Sequence, residues 1–206
     1  MSGIIAQNTL DGSGLIKSPE GGGAWNFIKK LTASGNADLS FVDGASDVVL
    51  DSTYKIYVFT FNNIHPATDA VEFQFNMSID SGSNYNVTKT SAVFGTQHNE
   101  ADNSNVLRYE TGDDLAESGN YQKLSDNLGN SNDESQSGYL HLFSPSDTTF
   151  VKHYIAETNI YFSNDQTERS FIGGYGNTTS AVDAIQFKMS SGNIDAGDIC
   201  LYGIST

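Results

Sequence analysis

Short segments that alternate apolar and polar residues constrain the fold of this chain most. In residues 71–79 every odd position is apolar and every even position is polar. Successive side chains of a β-strand point to opposite faces, so this pattern predicts a strand with one buried face and one wet face. Glycine, serine, asparagine and threonine separate such segments, and phenylalanine and tyrosine are frequent within them, with 12 Phe and 10 Tyr. This mixture is typical of short strands joined by loops.

Residues 54–61 predict a second strand that is apolar on both faces and therefore central in its sheet. Further strands are predicted at residues 25–32, 37–42, 88–97, 106–111, 138–143, 150–157, 169–175, 182–189 and 198–204. Residues 62–69 and 125–137 predict loops, and residues 190–198 predict a hairpin turn. No amphipathic helix is predicted; residues 113–124 favour a turn or two at most. The spacing of about ten residues favours an all-β fold, an antiparallel β-sandwich of jelly-roll type.

The first 23 residues lack strand periodicity. They contain three apolar islands and end in three consecutive glycines. We therefore predict two parts, an extended N-terminal docking arm at residues 1–23 and a β-sandwich domain at residues 24–206. An arm of this kind cannot bury its own apolar side chains, so we expect it to contact another polypeptide. The predicted interface residues are Ile4, Ile5, Leu10, Leu15, Ile16 and Trp25.

Charge excludes broad classes of partner. Lysine and arginine total 10 against 25 acidic residues, which gives a formal charge of −15. Nucleic acids and anionic membranes require a dense cationic surface, so we expect neither as a partner. The first ten residues resemble no signal peptide, and no apolar run is long enough to span a membrane. The single cysteine, Cys200, excludes an intrachain disulfide and fits a reducing compartment.

Two motifs could bind metal. His141 and His153 flank a predicted turn and could face each other across a hairpin, which would supply half of a metal site. Residues 80–86 place oxygen-bearing side chains at alternate positions, as calcium loops do. Ordinary cross-strand histidines and a hairpin turn explain these motifs better, and we expect no cofactor and no metal.

The sequence contains no motif that identifies a catalytic residue. Paired carboxylates could cleave a glycoside, but most acids here lie in turn sequences where solvated side chains are the ordinary interpretation. Cys200 lies in an apolar run, which favours a buried, inert thiol. Exposed aromatic residues such as Trp25 or Tyr121 could stack on sugars, although core positions are commoner for such side chains.

Several stretches resemble a known family. The sequence is similar to small β-sandwich virion structural proteins of tailed bacteriophages, particularly those of marine bacteria. The similarity covers roughly residues 25–206 and is carried by residues 54–58, 64–69, 78–85, 191–197 and 201–204, together with Phe187. The resemblance implies a non-enzymatic protein without catalytic residues, located on the virion surface after assembly in the host cytoplasm. It also implies a homo-oligomer, often a trimer, that binds the major capsid protein or another virion protein.

Three functions are compatible with these features of the sequence. A capsid decoration or cement protein would use the arm to bind across shell subunits. A fibre or tail-tip domain would bind host-surface glycans through loops such as residues 99–105 and 125–137. A glycan-degrading enzyme has no positive sign in the sequence. A short chain with an apolar arm and no shaft repeat favours decoration.

Overall fold

A computed structural model describes residues 25–205, and this part of the chain is all-β. It contains twelve strands and no helix, which confirms the predicted all-β class. Bounds of the strands are β1 Trp25–Asn36, β2 Asp38–Val42, β3 Ile56–Pro66, β4 Phe73–Ser78, β5 Lys89–Asn99, β6 Asn105–Tyr109, β7 Gln122–Lys123, β8 Gln136–Phe143, β9 Lys152–Phe162, β10 Gln166–Gly176, β11 Ala184–Met189 and β12 Ile194–Ile204. The predicted arm and its residues Ile4, Ile5, Leu10, Leu15 and Ile16 lie outside the described residues.

The strands form two antiparallel sheets. The larger sheet has eight strands in the order β1-β12-β3-β8-β9-β10-β5-β6, and the smaller has four in the order β2-β11-β4-β7. Strand β3 lies between β12 and β8. The prediction that residues 54–61 form a central strand is therefore confirmed.

One apolar core lies between the sheets. Phe187 of β11 contacts Phe59 and Phe61 of β3, with ring centroids 5.4 and 5.3 Å apart. Phe75 of β4 meets Tyr154 of β9 edge to face at 5.1 Å. These contacts join the inward face of each sheet, which is the arrangement of a β-sandwich.

Three predicted loops differ from the structure. Residues 62–69 are not a loop throughout, because β3 continues to Pro66 by passing through irregularities in its pairing with β12 and β8. Residues 125–137 are not fully solvated: Leu128 is buried and exchanges backbone hydrogen bonds with Val71. This segment covers part of the core, and its polar composition hid the one apolar anchor.

The third difference concerns residues 190–198. They form no hairpin, because β11 belongs to the smaller sheet and β12 to the larger one. The connection therefore crosses from one sheet to the other. Gly192 adopts a φ of +71° in it, and a Cβ at that position would meet the Thr68 side chain. The glycine is thus required for the crossing rather than for a two-strand turn.

Candidate interaction surface

The outward face of the eight-stranded sheet, here called the outer face, carries apolar and aromatic side chains in lateral rows. The register of neighbouring strands defines each row, because directly paired residues point to the same side. The middle row comprises Phe27, Tyr202, Val58, His141, Ile155, Gly173 and Ala92. One flanking row comprises Lys30, Cys200, Thr60, Tyr139, Glu157, Phe171, Phe94 and Tyr109. The other comprises Trp25, Ile204, Ile56 and Phe143, and continues with His153, Tyr175 and Thr90 across the end of the β8–β9 pairing at Leu142 and Tyr154.

Several of these large apolar and aromatic side chains are more than half exposed. Ile155 is 52% exposed, Phe27 61% and Tyr109 52%. The inward neighbours of Ile155 on β9, Tyr154 and Ala156, are buried in the core. The alternation therefore points Ile155 away from the core, on the side of β9 that the smaller sheet does not cover.

A shallow groove crosses this face above two small residues. Ala92 and Gly173 form its floor, Phe94 and Phe171 one wall and Ile155 the other, and the groove encloses about 370 Å³. The two phenylalanine rings stack with centroids 4.8 Å apart and planes within 9°. Space above Gly173 is open, since a Cβ built there meets no atom within 4 Å. The groove exists because the stacked rings stand beside residues that have almost no side chain.

Charges on the outer face are few and paired. Glu157 binds Arg169 and accepts a hydrogen bond from the Tyr139 hydroxyl at 2.7 Å. Lys30 contacts Asp198 at 3.2 Å. The bonds from Thr32 and Lys30 lower the pKa of Asp198, so its carboxylate is held in the charged state. The three rows carry one lysine and one glutamate, so their formal charge is zero on a chain of −15.

Trp25 of the predicted interface lies at the edge of this face. Its ring centroid is 5.4 Å from that of Tyr202, and Phe27 lies 5.7 Å from the same ring. Trp25 is 52% exposed and is not a core residue. Tyr121 lies elsewhere, half-buried beneath the ammonium of Lys188, which stands 4.4 Å from the ring centroid.

The two histidines of the predicted half-site lie on the outer face with aromatic neighbours. His141 contacts Tyr139 at 5.2 Å, and His153 contacts Tyr175 at 6.1 Å. Burial lowers the pKa of His141, which favours its neutral form. Within residues 25–205 no group of three or more His, Cys, Asp or Glu side chains is arranged to hold a metal ion.

The oxygen-rich segment at residues 80–86 is a turn held by its own side chains. Asp80 accepts hydrogen bonds from the Asn84 amide at 2.9 Å and from the Ser78 hydroxyl at 2.7 Å. Bonds from Asn84 and Ser78 lower the pKa of Asp80. The predicted hairpin is wrong here too, because β4 and β5 belong to different sheets.

A polar cavity of about 560 Å³ lies beside the smaller sheet and contains clustered carboxylates. Lys123 binds Asp113 at 3.0 Å, Glu72 at 3.4 Å and Asp126 at 4.0 Å. Burial opposes the ammonium charge, yet the bond with Asp113 and the surrounding carboxylates raise the pKa of Lys123. The three carboxylates therefore share one lysine as their ion-pair partner.

Cys200 does not occupy the predicted core position. Ile199 and Leu201 point into the core, so Cys200 between them faces outward and is only partly buried. The sequence shows the apolar run but not which of its members faces the second sheet.

Lys89 is a polar residue that the sequence did not single out. Its side chain is fully buried, and its ammonium donates to the Asn76 side-chain oxygen at 2.5 Å and to the Val87 carbonyl at 2.7 Å. Both acceptors are neutral. Burial lowers the pKa of Lys89 to about 7, since desolvation disfavours the charged form.

Comparisons with protein-family models, with curated proteins and with solved structures returned no match. Among residues 25–205 there is no helix long and apolar enough to cross a membrane.

Proposed function

We propose that this chain is a non-enzymatic structural protein of a tailed-bacteriophage virion, a decoration or cement protein on the outer surface of the shell. The observation that carries the proposal is the outer face, an exposed surface rich in apolar and aromatic side chains whose few charges are paired, on an otherwise acidic β-sandwich. Exposed apolar areas of this kind mark surfaces that contact other macromolecules. The acidic remainder of the surface disfavours nonspecific binding to nucleic acid, which suits a protein displayed to solvent.

The jelly-roll type of the sandwich belongs to the same proposal. If β5, β6, β9 and β10 are set aside, eight strands remain, and their pairing is nested. Strand β1 pairs with β12, β2 with β11, β3 with β8 and β4 with β7. Alternate pairs lie in different sheets. A single long ribbon folded on itself and wrapped into two sheets gives this nesting, which supports a jelly roll extended by four strands.

In this proposal the arm at residues 1–23 attaches the sandwich to the major capsid protein or to another virion protein. Each of Ile4, Ile5, Leu10, Leu15 and Ile16 would contribute about 1.5–3 kcal/mol if fully buried, before the cost of ordering the segment. Strand β1 begins at Trp25 on an edge of the larger sheet. A segment leaving from that edge can reach a neighbouring protein without crossing the core.

Electron cryo-microscopy of particles that contain this chain tests the proposal. We expect density for the sandwich on the outer shell. A chain without residues 1–20 should give the far-UV circular dichroism spectrum of the full chain. It should fail to attach to particles from which this protein is absent. Location in the tail or fibre, or unchanged attachment after the deletion, would contradict the decoration role.

A fibre or tail-tip domain that binds host-surface glycans is a second candidate, favoured by the exposed aromatic edge of Trp25, Phe27 and Tyr202. Aromatic faces can stack on sugar rings. Trp25 is the only tryptophan, so its fluorescence reports on ligands at this edge. Saturable quenching by host-surface glycans that is lost in a Phe27→Ala variant would favour this role, and fluorescence that no glycan changes would exclude it.

A further inference from the structure

The charge distribution limits which proteins can approach this molecule. The chain carries a formal charge of −15, whereas the three rows of the outer face carry one lysine and one glutamate. Two copies of the chain therefore repel each other at most orientations, and the repulsion is weakest where both present this neutral face. Like-charged copies can approach most closely there.

The shape of the face is complementary to itself. Ile155 projects as a 52% exposed ridge immediately beside the groove floored by Gly173 and Ala92. A projection and a depression on adjacent strands can fit each other in two molecules related by a two-fold axis. The stacked Phe94 and Phe171 rings would then flank the inserted isoleucine of the second copy.

The size of the face suits a stable contact. Eight strands spaced at about 4.8 Å are roughly 34 Å wide, and three rows of side chains extend roughly 20 Å along the strands. The product, roughly 700 Å² per molecule, is close to the ~800 Å² that each partner buries in a standard protein interface.

From these three observations we infer that the outer face of the eight-stranded sheet binds the same face of a second copy of this chain. This inference goes beyond the proposed function and does not depend on it, because it concerns self-association rather than attachment to a particle. A glycan is a poorer occupant of the groove, because Glu157 is the single polar side chain among its lining residues and is already paired with Arg169, whereas a sugar requires several hydrogen-bonding partners.

The test measures the mass of the full chain by sedimentation equilibrium over a range of concentrations. Wild-type protein should form an assembly of at least two copies. Ile155→Asp places a carboxylate in the contact and should weaken association by at least about 100-fold, as loss of a central interface residue does. Gly173→Phe fills the groove from above, where the free molecule has open space, and should weaken association as well.

Ile79→Asp is the matched control. Ile79 is 44% exposed, similar to Ile155, but it follows β4 in the smaller sheet and lies off the outer face. This variant should associate as the wild type does. Circular dichroism of each variant establishes that the monomer remains folded, so that a lost assembly is not mistaken for unfolding.

The single thiol supplies a second readout. Cys200 lies in a flanking row of the outer face and is partly exposed in the free molecule. A thiol-reactive dye should therefore modify wild-type protein slowly at concentrations where it associates and modify Ile155→Asp faster. Raising the salt from about 50 to about 500 mM should strengthen wild-type association, because screening reduces the repulsion between the acidic copies.

Three outcomes would overturn the inference. The first is a wild-type chain that stays monomeric, including one that associates only with a different virion protein. The second is an assembly that Ile155→Asp leaves intact. The third is an assembly that is lost when residues 1–20 are deleted, since the copies would then be linked by that segment and not by the outer face. Association that survives this deletion supports the inference.

Discussion

The buried lysine makes the stability of this protein depend on pH in an unusual direction. Burial lowers the pKa of Lys89 from 10.5 to about 7, so the folded protein releases this proton near neutrality while the unfolded chain keeps it. Between these two values the unfolded state binds more protons, and the free energy of unfolding therefore rises with pH. For this shift the rise between about pH 7 and about pH 9 is about 2 kcal/mol.

The same shift predicts the effect of removing the amine. At about pH 7 the buried lysine lowers the free energy of unfolding by on the order of 4 kcal/mol relative to a group that does not titrate. Lys89→Met keeps the length of the side chain and removes the charge. It also removes the ammonium donor to the Val87 carbonyl, which costs about 1–3 kcal/mol, whereas the Asn76 side-chain oxygen still accepts from the Met77 backbone N–H. We expect a variant at least as stable as wild type at about pH 7, in which the rise toward pH 9 is absent.

Urea unfolding of wild type, Lys89→Met and the exposed-lysine control Lys55→Met at about pH 7, 8 and 9 measures this effect. Burial raises the pKa of Tyr57 and Tyr154, whose ionisation in the unfolded chain opposes the trend at higher pH, so the range ends near pH 9. Wild-type stability that is flat or falls over this range would refute the reasoning, as would an unchanged pH dependence in Lys89→Met. Lys55→Met should retain the wild-type slope.

Two further predictions follow from packing and from the polar clusters. Gly203→Ala should lower the free energy of unfolding by about 1–3 kcal/mol, because a Cβ there overlaps the Tyr54 ring. Gly173→Ala, on the open outer face, should leave the free energy of unfolding unchanged. Equal losses for the two variants in thermal or urea unfolding would argue against tight packing of Gly203 on Tyr54. A chelator should leave the melting temperature unchanged, since Asp80 accepts hydrogen bonds from Asn84 and Ser78 that hold the turn without an ion being required. A fall of several degrees on chelation would restore a metal site at residues 80–86 or at His141 and His153.

The sequence predicted the strands well because their signal is local. Eleven of the twelve strands overlap a predicted segment, and the exception, β7, has only two residues, Gln122 and Lys123. Sheet membership was not predictable in the same way. Strands β11 and β12 follow each other closely in the chain yet belong to different sheets, and only long-range pairing decides this.

The outer face was missed for a related reason. Alternation shows that successive side chains of β9 point to opposite faces of the sheet, but it does not show which face the smaller sheet covers. Ile155 and Tyr154 are both apolar, and only the topology exposes one and buries the other. The available signal was the apolar character of both faces of residues 54–61, which indicated a central strand and also implied a second apolar face.

The pairing of the first and last described strands determines when this molecule can fold. Asn26 of β1 donates to the Gly203 carbonyl of β12, 177 positions further along the chain. The ribosome therefore synthesises β1 long before its partner strand β12. Strand β3 also remains unpaired on one edge until β12 has been synthesised. Contacts this distant in sequence make folding slow and leave apolar strands unpaired during synthesis. We expect the sandwich to close only after translation has passed β12, which makes the nascent chain a client for chaperones rather than a domain that folds as it emerges.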